Sequence, residues 1–161
     1  MTGKLFLTGG SGMVGRNIQD HPAAQDWDIL APSSSELDLM NGPEVARYIN
    51  EHQPDLIIHA AGKVGGISAN MAAPVAFLDR NVMIGRNVIM GARGAGVKQQ
   101  INLVSTSIYP RAATNPLSED LLLTGELEPT NEGYAIAKIF ALRLCEYIRR
   151  EDDSFHYKPL I

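Results

Sequence analysis

Residues 4–15, KLFLTGGSGMVG (Lys4 to Gly15), decide the fold of this chain. Lys4 to Thr8 is a short apolar run stopped at once by Gly9-Gly10, the pattern of a buried strand entering a tight turn. Met13 to Asp20 follows with Val14 and Ile18 four residues apart, on one face of a helix. Gly9, Gly12 and Gly15 therefore lie in a strand–turn–helix connection as Gly-x-x-Gly-x-x-Gly. In that setting glycine permits the turn, lets backbone approach a pyrophosphate and packs the helix on the strand. The free N–H groups and positive dipole end of the helix then face the phosphates. A glycine triplet alone is a weak signal; its place in the first βα turn of a βαβ series gives it weight.

The same alternation continues outward. Asp28–Ala31, Leu56–Ala60, Gln100–Ser105 and Tyr157–Ile161 read as strands, and Pro43–His52, Pro74–Gly94 and Asn131–Arg150 as helices. The glycine-rich stretch after Gly62 and residues 111–130 read as connections. This pattern predicts an α/β fold: one doubly wound parallel sheet covered on both faces, a Rossmann-like dinucleotide-binding domain over residues 1–161. A chain of 161 residues, 45% of them hydrophobic, can bury one such core.

Bulk properties narrow the partners. A net charge of −4 argues against nucleic acid and anionic membranes. No basic leader runs into an apolar stretch and no run of 18 apolar residues occurs, so a cytoplasmic protein without signal peptide or membrane span is expected. The single cysteine, Cys145, excludes an internal disulfide, fits a reducing compartment and reads as a small buried hydrophobe. No metal site is expected.

Tyr134-Ala135-Ile136-Ala137-Lys138 puts a phenol and an ammonium at i and i+4 on one face of the last helix. The cation is expected to lower the phenol's pKa, so that the tyrosine can exchange a proton with a carbonyl or alcohol oxygen. Tyr-x-x-x-Lys recurs by chance, but Ser105 lies at the C-terminal end of the fourth strand, where open α/β sheets place their sites. Its hydroxyl can hold the same oxygen. Ser105, Tyr134 and Lys138 downstream of a glycine turn make hydride transfer the favoured chemistry. The cofactor's ribose is read after the second strand, where an acid favours NAD and a base NADP. Ser33, Ser34 and Ser35 stand there and decide neither; Arg16, in the first turn of the helix, reads either as a cation within reach of a 2′-phosphate or, in preference, as a solvated helix residue.

Several longer stretches carry a resemblance: GGSGMVG (9–15), ELDL (36–39), HAAGKVGGI (59–67), SIYP (107–110) and EPTNEGYAIAK (128–138). On these the chain resembles the extended short-chain dehydrogenase/reductases and, among them, the GDP-L-fucose synthases. The resemblance covers the whole chain but about the first half of such an enzyme. It implies NADP as cofactor, with NAD possible, and a GDP-4-keto-6-deoxy sugar as substrate, epimerised at C3 and C5 and reduced at C4. It puts Gly9, Gly12, Met13, Val14 and Gly15 at the pyrophosphate turn, Asp38 and Leu39 near the adenine, and Ala60, Ala61 and Gly62 behind the nicotinamide-side ribose. Ser105, Tyr134 and Lys138 match the catalytic set, with Tyr134 and Lys138 also touching the cofactor. Asn81 matches a supporting asparagine, and Lys63 and Thr130 fall at the substrate edge. His59, which ends a strand, reads as a packed or hydrogen-bonded histidine.

The chain also departs from that family. A cysteine that works as acid/base in the epimerisations is replaced by Ser107, a poor carbon base without activation. Its histidine partner and the sugar-binding part would lie beyond Ile161, and a sheet ending there is expected to leave an edge open to association. The basic residues that would select NADP are replaced by Ser11 and the serines after the second strand. Two alternatives stand beside the epimerase-reductase. One is a truncated, non-catalytic NAD(P)-binding module; the other is an NAD-dependent epimerase or dehydratase of another nucleotide sugar. Family likeness also implies a homodimer through the two long helices.

Overall fold

The computed structural model describes residues 3–161. Along the chain run β1 (Gly3–Thr8), α1 (Met13–Asp20), β2 (Trp27–Leu30), α2 (Gly42–His52), β3 (Leu56–His59), α3 (Ile67–Ala72), α4 (Pro74–Gly94), β4 (Gln99–Leu103), α5 (Glu132–Glu151) and β5 (His156–Leu160). The strands form one parallel sheet in the order β2-β1-β3-β4-β5. The strand order reverses between β1 and β3, so connections leave to opposite sides there and open a crevice beyond the strands' carboxyl ends.

Alternation along the strands sorts side chains between the two faces. Phe6, Ile57 and Tyr157 point into a core with Val45 and Ile49 of α2, Val88, Ile89 and Ala92 of α4, and Cys145 and Ile148 of α5. Full burial of each large aliphatic there stabilises the fold by about 1.5–3 kcal/mol, the main favourable term. Two polar side chains there are tied down: Tyr157 Oη donates to the Val97 carbonyl (2.9 Å) and Asn102 Nδ2 to Cys145 Sγ (3.1 Å). Burial pushes the Cys145 thiol up to about 12, so it stays a protonated packing residue, as its place in the sequence suggested. On the opposite face α1 brings Val14 and Ile18 over Leu5, Leu56 and Ile58.

Helices α1 and α4 run over the residues their spacing predicted, and the other predicted elements lie within one or two residues of their expected bounds. Two differences bear on the site. The glycine-rich stretch contains α3, too short to show periodicity, held by Asn70 Nδ2 donating to the carbonyls of Gly65 and Gly66 (2.9 and 3.1 Å). Ser105 also lies outside β4: the strand stops at Leu103, and Ser105 instead caps a single 3-10 turn over Thr106–Ile108. Among the described residues no helix is long and apolar enough to cross a membrane.

Candidate active site

The glycine turn has the geometry its sequence implies. Gly9 has φ +73°, and a Cβ there would lie 2.8 Å from the Ala61 amide nitrogen on the adjoining strand end. Gly12 N–H donates to the Gly9 carbonyl (3.0 Å) and is the N-cap of α1. A Cβ on Gly15 would meet that same carbonyl oxygen at 2.2 Å. Gly9 thus makes the turn and Gly15 lets α1 sit on it, leaving an uncovered backbone cradle at a helix N-terminus. Met13 and Val14 are the first two residues of α1, where a helix leaves N–H groups without intrahelical acceptors. Their side chains face elsewhere: Met13 is 79% exposed and Val14 lines the apolar groove on the α1 face.

Beyond the turn, a cleft of about 410 Å³ occupies the reversal between β1 and β3. One wall is Pro32, Ser33, Ser34 and the segment Leu37–Met40; the other is Ala61, Gly62, Lys63, Arg80 and Ile84, with Gly9 and Ser11 between them. Asp38, Leu39, Ala61 and Gly62 line this cleft, while Ala60 is not among its lining residues, its N–H bonded to the Thr8 carbonyl (3.2 Å).

Two buried asparagines of α4 hold the walls. Asn81 Oδ1 accepts from Lys63 N–H (2.8 Å), and its Nδ2 donates to the carbonyls of Lys63 (3.0 Å) and Phe77 (2.7 Å). Asn87 Nδ2 donates to the carbonyls of Leu39 (2.9 Å) and Met40 (3.1 Å). A third polar group joins the strand ends. Thr8 Oγ1 accepts from Ala61 N–H (3.3 Å) and lies 2.7 Å from His59 Nδ1. The Thr8 hydroxyl thus ties one ring nitrogen of His59 to the backbone of Ala61. Burial, with a smaller contribution from nearby Lys138, pulls the His59 pKa down to about 3. His59 is a neutral structural histidine.

Helix α5 brings Lys138, with Tyr134 beside it, to the carboxyl end of β4, the strand that leads to Ser105. Lys138 Nζ donates to the Leu103 carbonyl (2.9 Å), two residues before Ser105, and stands 5.6 Å from the Tyr134 ring centroid. Ser105 Oγ accepts from Ser107 N–H (3.3 Å). The expected lowering of the phenol does not hold in this arrangement. Burial raises the Tyr134 pKa and lowers that of Lys138, whose ammonium is turned to a carbonyl rather than to the phenol oxygen. Tyr134 is therefore a protonated acid at neutral pH. Ser107 Oγ is buried with no hydrogen-bond partner. Of the two residues assigned to the substrate edge, Thr130 is keyed to its own turn, Oγ1 donating to Glu128 Oε1 (2.9 Å), and Lys63 Nζ rests over the Phe77 ring (5.0 Å).

The profile of the NAD dependent epimerase/dehydratase family matches residues 5–161. The chain belongs to that family. Among curated epimerase/dehydratase-family relatives, GDP-L-colitose synthase of Yersinia pseudotuberculosis is 49% identical over 158 residues, which is 98% of this chain and 51% of that protein. GDP-L-fucose synthase of Azorhizobium caulinodans is 48% identical over 158 residues, 98% of this chain and 50% of that one. Among solved structures, the GDP-mannoheptose C4 reductase of Campylobacter jejuni with NADP bound superposes with a TM-score of 0.92 at 28% identity, over 98% of this chain and 50% of that one. The chain spans about half the length of the relatives it matches.

Three residues that line or brace the cleft were not singled out from the sequence: Thr8, Arg80 and Asn87. Asn87 carried a readable signal, an amide at an otherwise apolar position of the helix that already held Asn81. Thr8 and Arg80 carried none, since only the strand register and the helix–sheet packing bring them to the cleft.

Proposed function

We propose that this chain is the cofactor-binding and catalytic half of an NADP-dependent nucleotide-sugar epimerase-reductase, acting on a GDP-4-keto-6-deoxy sugar to give a GDP-L-fucose-type product. The observation that carries the reading is that Lys138 of α5, with Tyr134 beside it, reaches the carboxyl end of β4 two residues before Ser105, with the glycine cradle and its cleft at the neighbouring strand ends. The backbone cradle that a Cβ at Gly9 or Gly15 would fill fits a dinucleotide pyrophosphate, and the cleft fits its adenosine half. The nicotinamide, when bound, supplies the hydride.

The chain's own groups supply the rest. Tyr134, kept protonated by burial, gives its proton to the sugar's C4 oxygen as negative charge develops there. Ser105 donates a hydrogen bond to the same oxygen, and the Lys138 cation stabilises the phenolate that forms. The GDP-sugar names of the relatives support the substrate class, and the NADP in the C4 reductase supports the cofactor. A homodimer through α4 and α5 belongs to this reading: Ile136, Phe140 and Tyr147 stand exposed along α5.

The test is NADPH oxidation with GDP-4-keto-6-deoxymannose, alongside NADPH binding, for this chain and for Tyr134→Phe. The expected result is binding by both and a loss of turnover of about 100-fold or more in the variant. Binding without turnover in either would overturn the enzymatic reading of these 161 residues and leave a dinucleotide-binding module.

One observation favours a second reading, C4 reduction without epimerisation. The Ser107 hydroxyl, where the family's acid/base cysteine would stand, is buried without a partner, and a neutral hydroxyl is a poor base toward carbon. Reaction in deuterated water separates the two, since epimerisation exchanges the C3 and C5 hydrogens and simple reduction does not.

A further inference from the structure

We propose that Arg80, on α4, is the residue that selects NADP by binding its 2′-phosphate, in place of a basic residue after β2. The inference rests on the dinucleotide reading above and goes beyond it by naming the selecting group.

The end of β2 offers a phosphate no cation. Ser33 N–H and Ser33 Oγ both donate to Glu36 Oε2 at 2.7 Å, and Ser33 Oγ lies 2.9 Å from Ser35 Oγ. These two bonds from Ser33 hold the Glu36 carboxyl below the usual carboxylate range, so the exposed loop carries a negative charge rather than a positive one. A dianionic phosphate at that loop would meet a carboxylate and hydroxyls already engaged with each other. Ser34 and Ser11 line the cleft nearby but bring no charge.

A phosphate in this cleft must therefore find its cation on the other wall. Two cationic residues line the cleft, Lys63 and Arg80. The Lys63 ammonium is directed onto the Phe77 ring (5.0 Å), back toward the first turn of α4. Arg80 is exposed and makes no ion pair among the described residues, whereas Arg47, Arg93, Lys98, Arg111 and Arg143 each pair with a carboxylate. It stands one helical turn before Ile84, which lines the same cleft opposite Leu39 and Met40. Its helix is fixed to both walls through Asn81 and Asn87, so the guanidinium is carried on a rigid element. A planar guanidinium can take two phosphate oxygens at once, which a 2′-hydroxyl does not offer. Asp38 lines the cleft as well, its Oδ1 accepting from Met40 N–H (2.9 Å), and gives NADH a partner for its free ribose hydroxyls.

The experiment is equilibrium binding of NADPH and NADH to the chain, Arg80→Gln and Arg86→Gln, followed by nucleotide fluorescence at low and high salt. Arg86 is an exposed cation of the same helix that does not line the cleft. Arg80→Gln is expected to weaken NADPH binding by about 10- to 100-fold, to leave NADH unchanged and to abolish most of the salt dependence of the NADPH preference. Arg86→Gln should match the unaltered chain. Equal affinity of the unaltered chain for the two nucleotides, or a parallel loss of both in Arg80→Gln, would overturn the assignment of Arg80 alone. Failure of the unaltered chain to bind either nucleotide would overturn the dinucleotide reading beneath it.

Discussion

Replacing Asn81 by alanine tests whether α4 holds the cleft open through that one amide. Asn81 is 6% exposed and makes three hydrogen bonds, with both backbone polar groups of Lys63 and with the Phe77 carbonyl. In the alanine variant the Phe77 carbonyl keeps its place in the helical ladder. The Lys63 N–H and carbonyl lose their only hydrogen-bond partner among the described residues. Each such loss costs about 1–3 kcal/mol when buried, and the cleft admits some water, so the lower end applies and the sum is about 2 kcal/mol. For a domain of this size that is a fall in Tm of about 4–8 °C by calorimetry or far-UV circular dichroism. With Gly62 and Lys63 released, NADPH affinity should fall by about 10-fold or more. Asn81→Asp sharpens the test. It keeps the acceptor for Lys63 N–H but turns a second oxygen toward two carbonyls, so it should cost more than alanine. A Tm within about 1 °C of the unaltered chain, or an aspartate tolerated as well as asparagine, would refute the reasoning.

Further outcomes follow from other parts of the site. His59 stays neutral down to about pH 3 in the folded chain but titrates near 6.5 when unfolded, so between those values the unfolded state binds the extra proton. Stability should therefore fall as pH drops through this window, by up to about 1.4 kcal/mol per pH unit. His59→Asn should flatten the plot of stability against pH by about one proton, and an unchanged slope would contradict the assignment. Gly15→Ala places a Cβ 2.2 Å from a backbone oxygen and must push α1 off the turn, costing about 1–3 kcal/mol or more and NADPH binding with it. Gly94→Ala, with nothing within 4 Å of the added methyl, should fold and bind as the unaltered chain does. Equal tolerance of the two alanines would count against the packing role of Gly15.

Much of the fold was legible because its signals are local. The run Lys4–Thr8 and the glycines after it announce a buried strand and a turn, and the spacing in α1 and α4 announces amphipathic helices over the residues observed. Helix α3 was not legible, since six residues are too few to show a period. The pKa direction of Tyr134 was misread for a different reason. Sequence gives the i, i+4 spacing of Tyr134 and Lys138, but not that burial outweighs their mutual effect or that the Leu103 carbonyl draws the ammonium away.

The sequence by itself determined the parallel α/β class, the glycine turn between β1 and α1, the i, i+4 spacing of Tyr134 and Lys138 and the family of the chain, because each is written in contiguous residues with fixed spacing. Only the tertiary structure decided which groups from distant segments share one cleft. It brings Asn81 to Lys63, Asn87 to Leu39, Thr8 to His59, and Arg80 to the wall facing Ser33. The physical reason is that helix–sheet packing and strand register act across tens of residues, whereas periodicity and turn chemistry act over a few. Charge and hydrogen bonding in the cleft depend on the former, and so does its choice of ligand.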